Sequence, residues 1–88
     1  MPKPTPDEIR TAVIETIARH ARKPKASIKD DQELTGIAIG LKDIDLGFLA
    51  MSLRGYVKTF NKQKTITKAQ VKKAKTVAGT VTLVQKAI

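Results

Sequence analysis

The chain has 88 residues, 41% of them hydrophobic, which suffices for one domain with one core and not for two. It has no cysteine, which excludes a disulfide framework, a thiolate metal site and a cysteine nucleophile and is compatible with a reducing compartment. Its net charge of +9 is unevenly placed: residues 1–45 hold all eight acids and eight bases, whereas residues 46–88 hold nine bases and no acid.

Such asymmetry points to an anionic partner, which an acidic protein face, nucleic acid or a membrane surface would each supply. A lysine-rich surface that only keeps the chain in solution has the same composition. Three aromatic residues, Phe48, Tyr56 and Phe60, offer little for stacking nucleic-acid bases.

Residues 1–5 read as a short Pro-rich, disordered lead without the apolar run of a secretion signal. Thr5-Pro6-Asp7-Glu8 is a capping box with Pro6 at the first helical position, so a domain over 6–88 begins there with helix I. Ile9, Val13, Ile14 and Ile17 recur at helical spacing, His20, Arg22 and Lys23 gather where they oppose the negative helix end, and Pro24 stops it. His20 is the sole histidine. With no obvious acidic neighbour it is expected to hold neither a metal nor a catalytic role.

From Lys25 to Ile44 no period persists and Gly36 and Gly40 interrupt, so one long loop is expected, pinned by Ile28, Leu34, Ile37, Ile39 and Leu41. Asp30, Asp31 and Glu33 lack the glycine and terminal glutamate spacing of a calcium loop, so no metal is expected. Asp45 is read as the N-cap of helix II, in which Leu46, Leu49, Ala50, Leu53, Val57 and Phe60 form an unbroken stripe ending at Asn61. Thr67-Lys68-Ala69-Gln70 opens a short helix III over about Ala69 to Ala74, anchored by Ile66 and Val71. Thr76 caps a closing helix IV with Val77, Val81, Val84 and Ile88 on one face. Thr80 to Val84 also has the composition of a strand, but no second strand with a hairpin turn is evident to pair with it, and helix is preferred. No segment approaches the roughly 18 apolar residues of a membrane span, and a cytoplasmic protein is expected.

A long first helix, a long loop, a strongly periodic second helix, a short third and a closing fourth resemble the layout of the acyl carrier protein family. Leu41-Lys42-Asp43-Ile44-Asp45-Leu46 resembles by spacing the family's Leu-Gly-x-Asp-Ser-Leu, with Leu41 and Leu46 in place of its two leucines. Ile66, Thr76-Val77 and Val81 resemble the family's Ile before helix III and its Thr-Val and later Val in helix IV. The resemblance covers roughly residues 7–86, with a loop insertion near Thr35 to Gly40 and about one extra residue in helix II. Most matching positions are core positions that any similar bundle needs. It implies an all-α, acyl-carrier-protein-like four-helix bundle with a long loop between helices I and II and a short helix III.

The departure from the family is chemical. Its serine becomes the phosphodiester link to 4′-phosphopantetheine, and here Asp45 stands in that place, or Leu46 if the register shifts by one. Neither side chain has a hydroxyl, so no phosphopantetheine is expected there. Ser27 and Ser52 are the only serines. Ser52, about two turns inside helix II, is expected to bond its own helix backbone. No P-loop, GxGxxG, HExxH or Ser-His-Asp set can be assembled.

Family members are usually acidic along helices II and III, where this chain carries Arg54, Lys58, Lys62, Lys64, Lys68, Lys72 and Lys73. The expected function is therefore that of a binding module, not an enzyme, with these residues as a basic face for an acidic protein partner. A nucleic-acid-binding module using the same lysines on phosphates is the second reading. A genuine carrier modified at an unexpected serine is the third.

Overall fold

A computed structural model describes residues 3–88 as four α-helices, α1 (Pro6–Ala21), α2 (Asp43–Phe60), α3 (Lys68–Ala74) and α4 (Val77–Ala87), with a 3-10 turn at Lys25–Ser27. Met1 and Pro2, part of the expected disordered lead, lie outside the described residues. Among the described residues there is no strand, and Thr80 to Val84 belong to α4.

Local chemistry sets most of the helix ends. Thr5 caps α1 through a reciprocal box: its hydroxyl accepts from the Glu8 N–H at 3.1 Å, and Glu8 accepts from the Thr5 N–H at 2.9 Å. Those bonds hold the Glu8 carboxyl below its usual range. α1 closes with Arg22 in the left-handed region (φ 57°) while the Lys23 N–H reaches back to the Ala18 carbonyl at 3.0 Å, a Schellman-type end built without glycine. Thr67 and Thr76 cap α3 and α4 as their positions predict, accepting from Gln70 and Gly79 N–H.

The start of α2 differs from expectation. Lys42, in extended conformation, is the N-cap and Asp43 the first helical residue, so Asp45 sits in the third position. Lysine has no acceptor to offer the free amides, and the Asp45 carboxylate instead reaches back to the Lys42 N–H at 2.9 Å. Asp45 thus secures this helix end from inside the first turn, where a negative charge also suits the helix dipole.

One core joins the four helices. Ile9, Val13 and Ile17 of α1, Leu46, Leu49, Leu53 and Val57 of α2, Val71 of α3 and Val77, Val81 and Val84 of α4 are all buried. Phe60, expected in that core, is only partly covered: it ends α2 edge-on to Tyr56, ring centroids 5.3 Å apart. The long connection is more ordered than its lack of period suggested. Leu34 N–H bonds the Lys75 carbonyl at 2.9 Å, Val77 N–H bonds Gln32 at 3.0 Å and Ala78 N–H bonds Asp30 at 2.9 Å, so the segment is laced to the α3–α4 corner. Ile28, Leu34, Ile39 and Leu41 bury themselves beneath it, whereas Ile37, expected to pin the loop, points fully into solvent.

Candidate partner-binding surface

Helices α2 and α3 pack against each other and carry the expected basic residues on two different sides. On α2, Arg54 and Lys58 border one shallow groove with Met51 and Gly55. On α3, Lys68 and Lys72 lean toward α2, and both reach Asp43, at 2.6 Å and 3.1 Å. The Lys68 stem passes over Gly47, where a Cβ would come only into ordinary van der Waals contact with it. Hydrogen bonds from Lys68 and then Lys72 hold the Asp43 carboxyl below the usual carboxylate range. Lys62 and Lys64 lie in the connection after α2, where Lys58 Nζ also donates to the Lys62 carbonyl at 3.2 Å. Lys73 faces away, into a groove beside α4 that it shares with Lys86.

Among the described residues Arg54, Lys58, Lys62, Lys64 and Lys73 make no ion pair. Three acids of the first half pair elsewhere: Asp30 with Arg10 at 2.8 Å, Glu15 with Lys25 at 3.5 Å and Glu33 with Lys75 at 3.4 Å. Among the described residues Asp43 is the one acid that pairs with cations of the α2–α3 surface, while Glu33 reaches the second half only at Lys75, at the α3–α4 corner. The positive potential of α2 and α3 is therefore reduced at one end and unopposed at the other.

Asp45, at the position of the family's serine, is half-buried and occupied with the Lys42 amide; Leu46, its alternative, is buried in the core. Ser52 does not bond its own helix. It meets His20 across the α1–α2 contact, with His20 Nε2 and Ser52 Oγ 2.8 Å apart. Burial and, after it, the Arg19 charge push the His20 pKa down, and Asp45 pulls the other way. His20 thus has an acidic neighbour that the sequence hid, which acts on it through charge, and the His20–Ser52 contact ties α1 to α2. Ser27 Oγ donates to the Pro24 carbonyl at 2.7 Å within the 3-10 turn.

Three residues that sequence reasoning passed over share the outward face of α2. Ile44, Phe48 and Met51 are 64%, 52% and 68% exposed, at positions i, i+4 and i+7. Together with Gly55 they fall within about 60° of arc, opposite the core stripe. The signal was present, since α2 is apolar on two sides where a surface helix needs only one.

No helix among the described residues is long and apolar enough to cross a membrane. Compared with known proteins, the chain matches no family model, no curated protein and no solved structure.

Proposed function

We propose that the chain is an acyl-carrier-protein-like binding module that lacks the phosphopantetheine serine and binds an acidic protein partner through the basic surface of α2 and α3. The observation that carries this reading is the row of unpaired cations at Arg54, Lys58, Lys62 and Lys64, on and just beyond a helix whose neighbouring acids are committed elsewhere. The order and lengths of the helices support the family likeness, and Asp45 supports loss of the carrier chemistry.

A nucleic-acid role for the same lysines is less well served by the aromatic residues. Tyr56 and Phe60 line a groove with Asp7, Glu8 and Glu15, where phosphates are repelled, so stacking and charge are on different sides of the molecule. Only Phe48 stands on the basic side.

Association rates measured at several ionic strengths test the proposal, with a glutamate-rich peptide and with single- and double-stranded DNA as probes. Charge reversal at Arg54, Lys58 and Lys62 is expected to slow association with the peptide by about tenfold or more and to flatten its salt dependence. Lys3 and Lys23, in the charge-balanced half, serve as controls; Lys25 is less suitable because it pairs with Glu15. Equal effects from controls and basic set, or tighter binding of DNA than of peptide, would refute the acidic-protein reading.

A further inference from the structure

We infer that the outward face of α2 is a docking face for an amphipathic helix of the acidic partner, which seats its apolar stripe on Ile44, Phe48 and Met51 and turns a carboxylate-bearing edge toward α3. The inference rests on the proposed acidic partner and adds to it the partner's secondary structure, its apolar stripe and its orientation. Ile44, Phe48 and Met51 stand more than half exposed on successive turns of one helix, which is the spacing that receives the i, i+4, i+7 anchors of another helix.

The edges of this face are unlike. Along the α3 side run Arg54 and Lys58 of α2 and Lys68 and Lys72 of α3. Along the α1 side α2 presents Asp45, Ser52 and Thr59, with no lysine or arginine of its own, and the one nearby cation, Arg19 of α1, stands beyond His20, which is held toward its neutral form. A partner helix with acids on one edge only matches this arrangement, and the mismatch of the reversed orientation fixes its direction.

Gly55 gives a second indication. A side chain there would meet nothing within 4 Å, so no packing inside the chain calls for glycine at a position where it weakens the helix. On the outward face, between Met51 and Lys58, a missing side chain lets another backbone come close.

The face suits other occupants less well. A second copy would bring +9 against +9, and two-fold antiparallel pairing of α2 would set basic edge against basic edge. A helix lying on an anionic bilayer places cations along both edges of its apolar stripe, and here α2 carries its own, Arg54 and Lys58, along one.

The test uses the isotope-labelled full chain and three probes: a helical peptide with a leucine stripe and glutamates on one edge, the same peptide with serines replacing the leucines, and phosphatidylglycerol vesicles. The leucine peptide is expected to bind about tenfold or more tightly than its charge-matched serine counterpart and to shift the amide signals of residues 44, 48, 51 and 55. Phe48→Ser and Met51→Ser, both charge-neutral changes at exposed positions, should abolish that difference while leaving the serine peptide's affinity unchanged. Equal binding of the two peptides would overturn the apolar docking face and leave the basic-surface proposal standing. Binding of neither peptide would overturn both. Binding of vesicles alone would replace the helix by a lipid surface.

Discussion

Two glycines in helices of the same small domain should respond to alanine with opposite signs. Gly55 lies in the middle of α2 with open space where a side chain would stand, so Gly55→Ala should add roughly 0.5–1 kcal/mol through helix propensity alone. Gly79 lies in the first turn of α4, where the same propensity predicts the same gain. There, however, a Cβ would run into the backbone carbonyl oxygen of Ala74, with the Ala74 carbonyl carbon and Thr76 Oγ1 also close. That carbonyl cannot readily retreat, because it accepts from the Thr76 N–H at 2.7 Å across a γ-turn at Lys75 (φ 69°, ψ −49°), and the neighbouring Lys75 carbonyl is held by Leu34. Moving the corner would also disturb the Thr76 cap on the Gly79 N–H. Overpacking of this kind costs about 1–3 kcal/mol, which outweighs the propensity gain. Urea denaturation followed by far-ultraviolet circular dichroism should show the midpoint rising for Gly55→Ala and falling for Gly79→Ala with unchanged slope. In thermal melts each kcal/mol corresponds to roughly 4–8 °C in a domain of this size. Stabilisation by both substitutions would refute the packing argument at the α3–α4 corner.

Leu53, 1% exposed between the helices, should lose about 2–5 kcal/mol of stability as Leu53→Ala, and a loss too small to measure would refute its place in the core. Because burial depresses the His20 pKa below its reference value of 6.5, the unfolded state binds the proton more readily; the His20 contribution to stability is complete above that value and is lost as pH falls through the folded pKa. Midpoints of urea curves between about pH 7 and 5 should therefore fall less in His20→Gln than in the unsubstituted chain, and parallel curves would refute this. Incubation with coenzyme A and a promiscuous phosphopantetheinyl transferase should leave the intact mass unchanged, since Asp45 has no hydroxyl and those of Ser27 and Ser52 are already bonded; any adduct would overturn the proposed loss of carrier chemistry.

Elements whose signals are local were legible in the sequence. The capping boxes at Thr5 and Thr67 and the cap at Thr76 mark helix starts because donor and acceptor lie within one turn, and the structure places α1, α3 and α4 there. The stripe from Leu46 to Val57 survives as the core face of α2, although Phe60, its last residue, is only partly covered and borders a groove beside α1. Asp45 shows how the same chemistry can be misplaced by three residues: an acidic side chain near a helix start serves as N-cap or as a reach-back acceptor, and only the extended conformation of Lys42 decides between them. The loop was opaque for a different reason. Its order comes from backbone bonds to Lys75, Val77 and Ala78, more than 40 residues on in the chain, which no local pattern records.

The candidate surface was legible in its charge and hidden in its shape. A half-chain with nine bases and no acid declares a positive potential, and the unpaired state of Arg54, Lys58, Lys62 and Lys64 follows from it almost directly. What sequence counting cannot supply is which cations share a face: Lys73 turns toward α4, Lys68 and Lys72 turn toward Asp43, and the remaining potential is concentrated along one edge of α2 and just past its end. The outward apolar residues carry the opposite lesson. Ile44, Phe48 and Met51 repeat at helical spacing as regularly as the core stripe, and reading a single stripe per helix hides them. An exposed apolar stripe on a small domain favours association, and a strong charge along one side makes that association selective. Their coincidence on α2 is what the proposed partner binding rests on, whereas a lysine-rich coat that served solubility alone would have no use for three exposed hydrophobic side chains in register beside it.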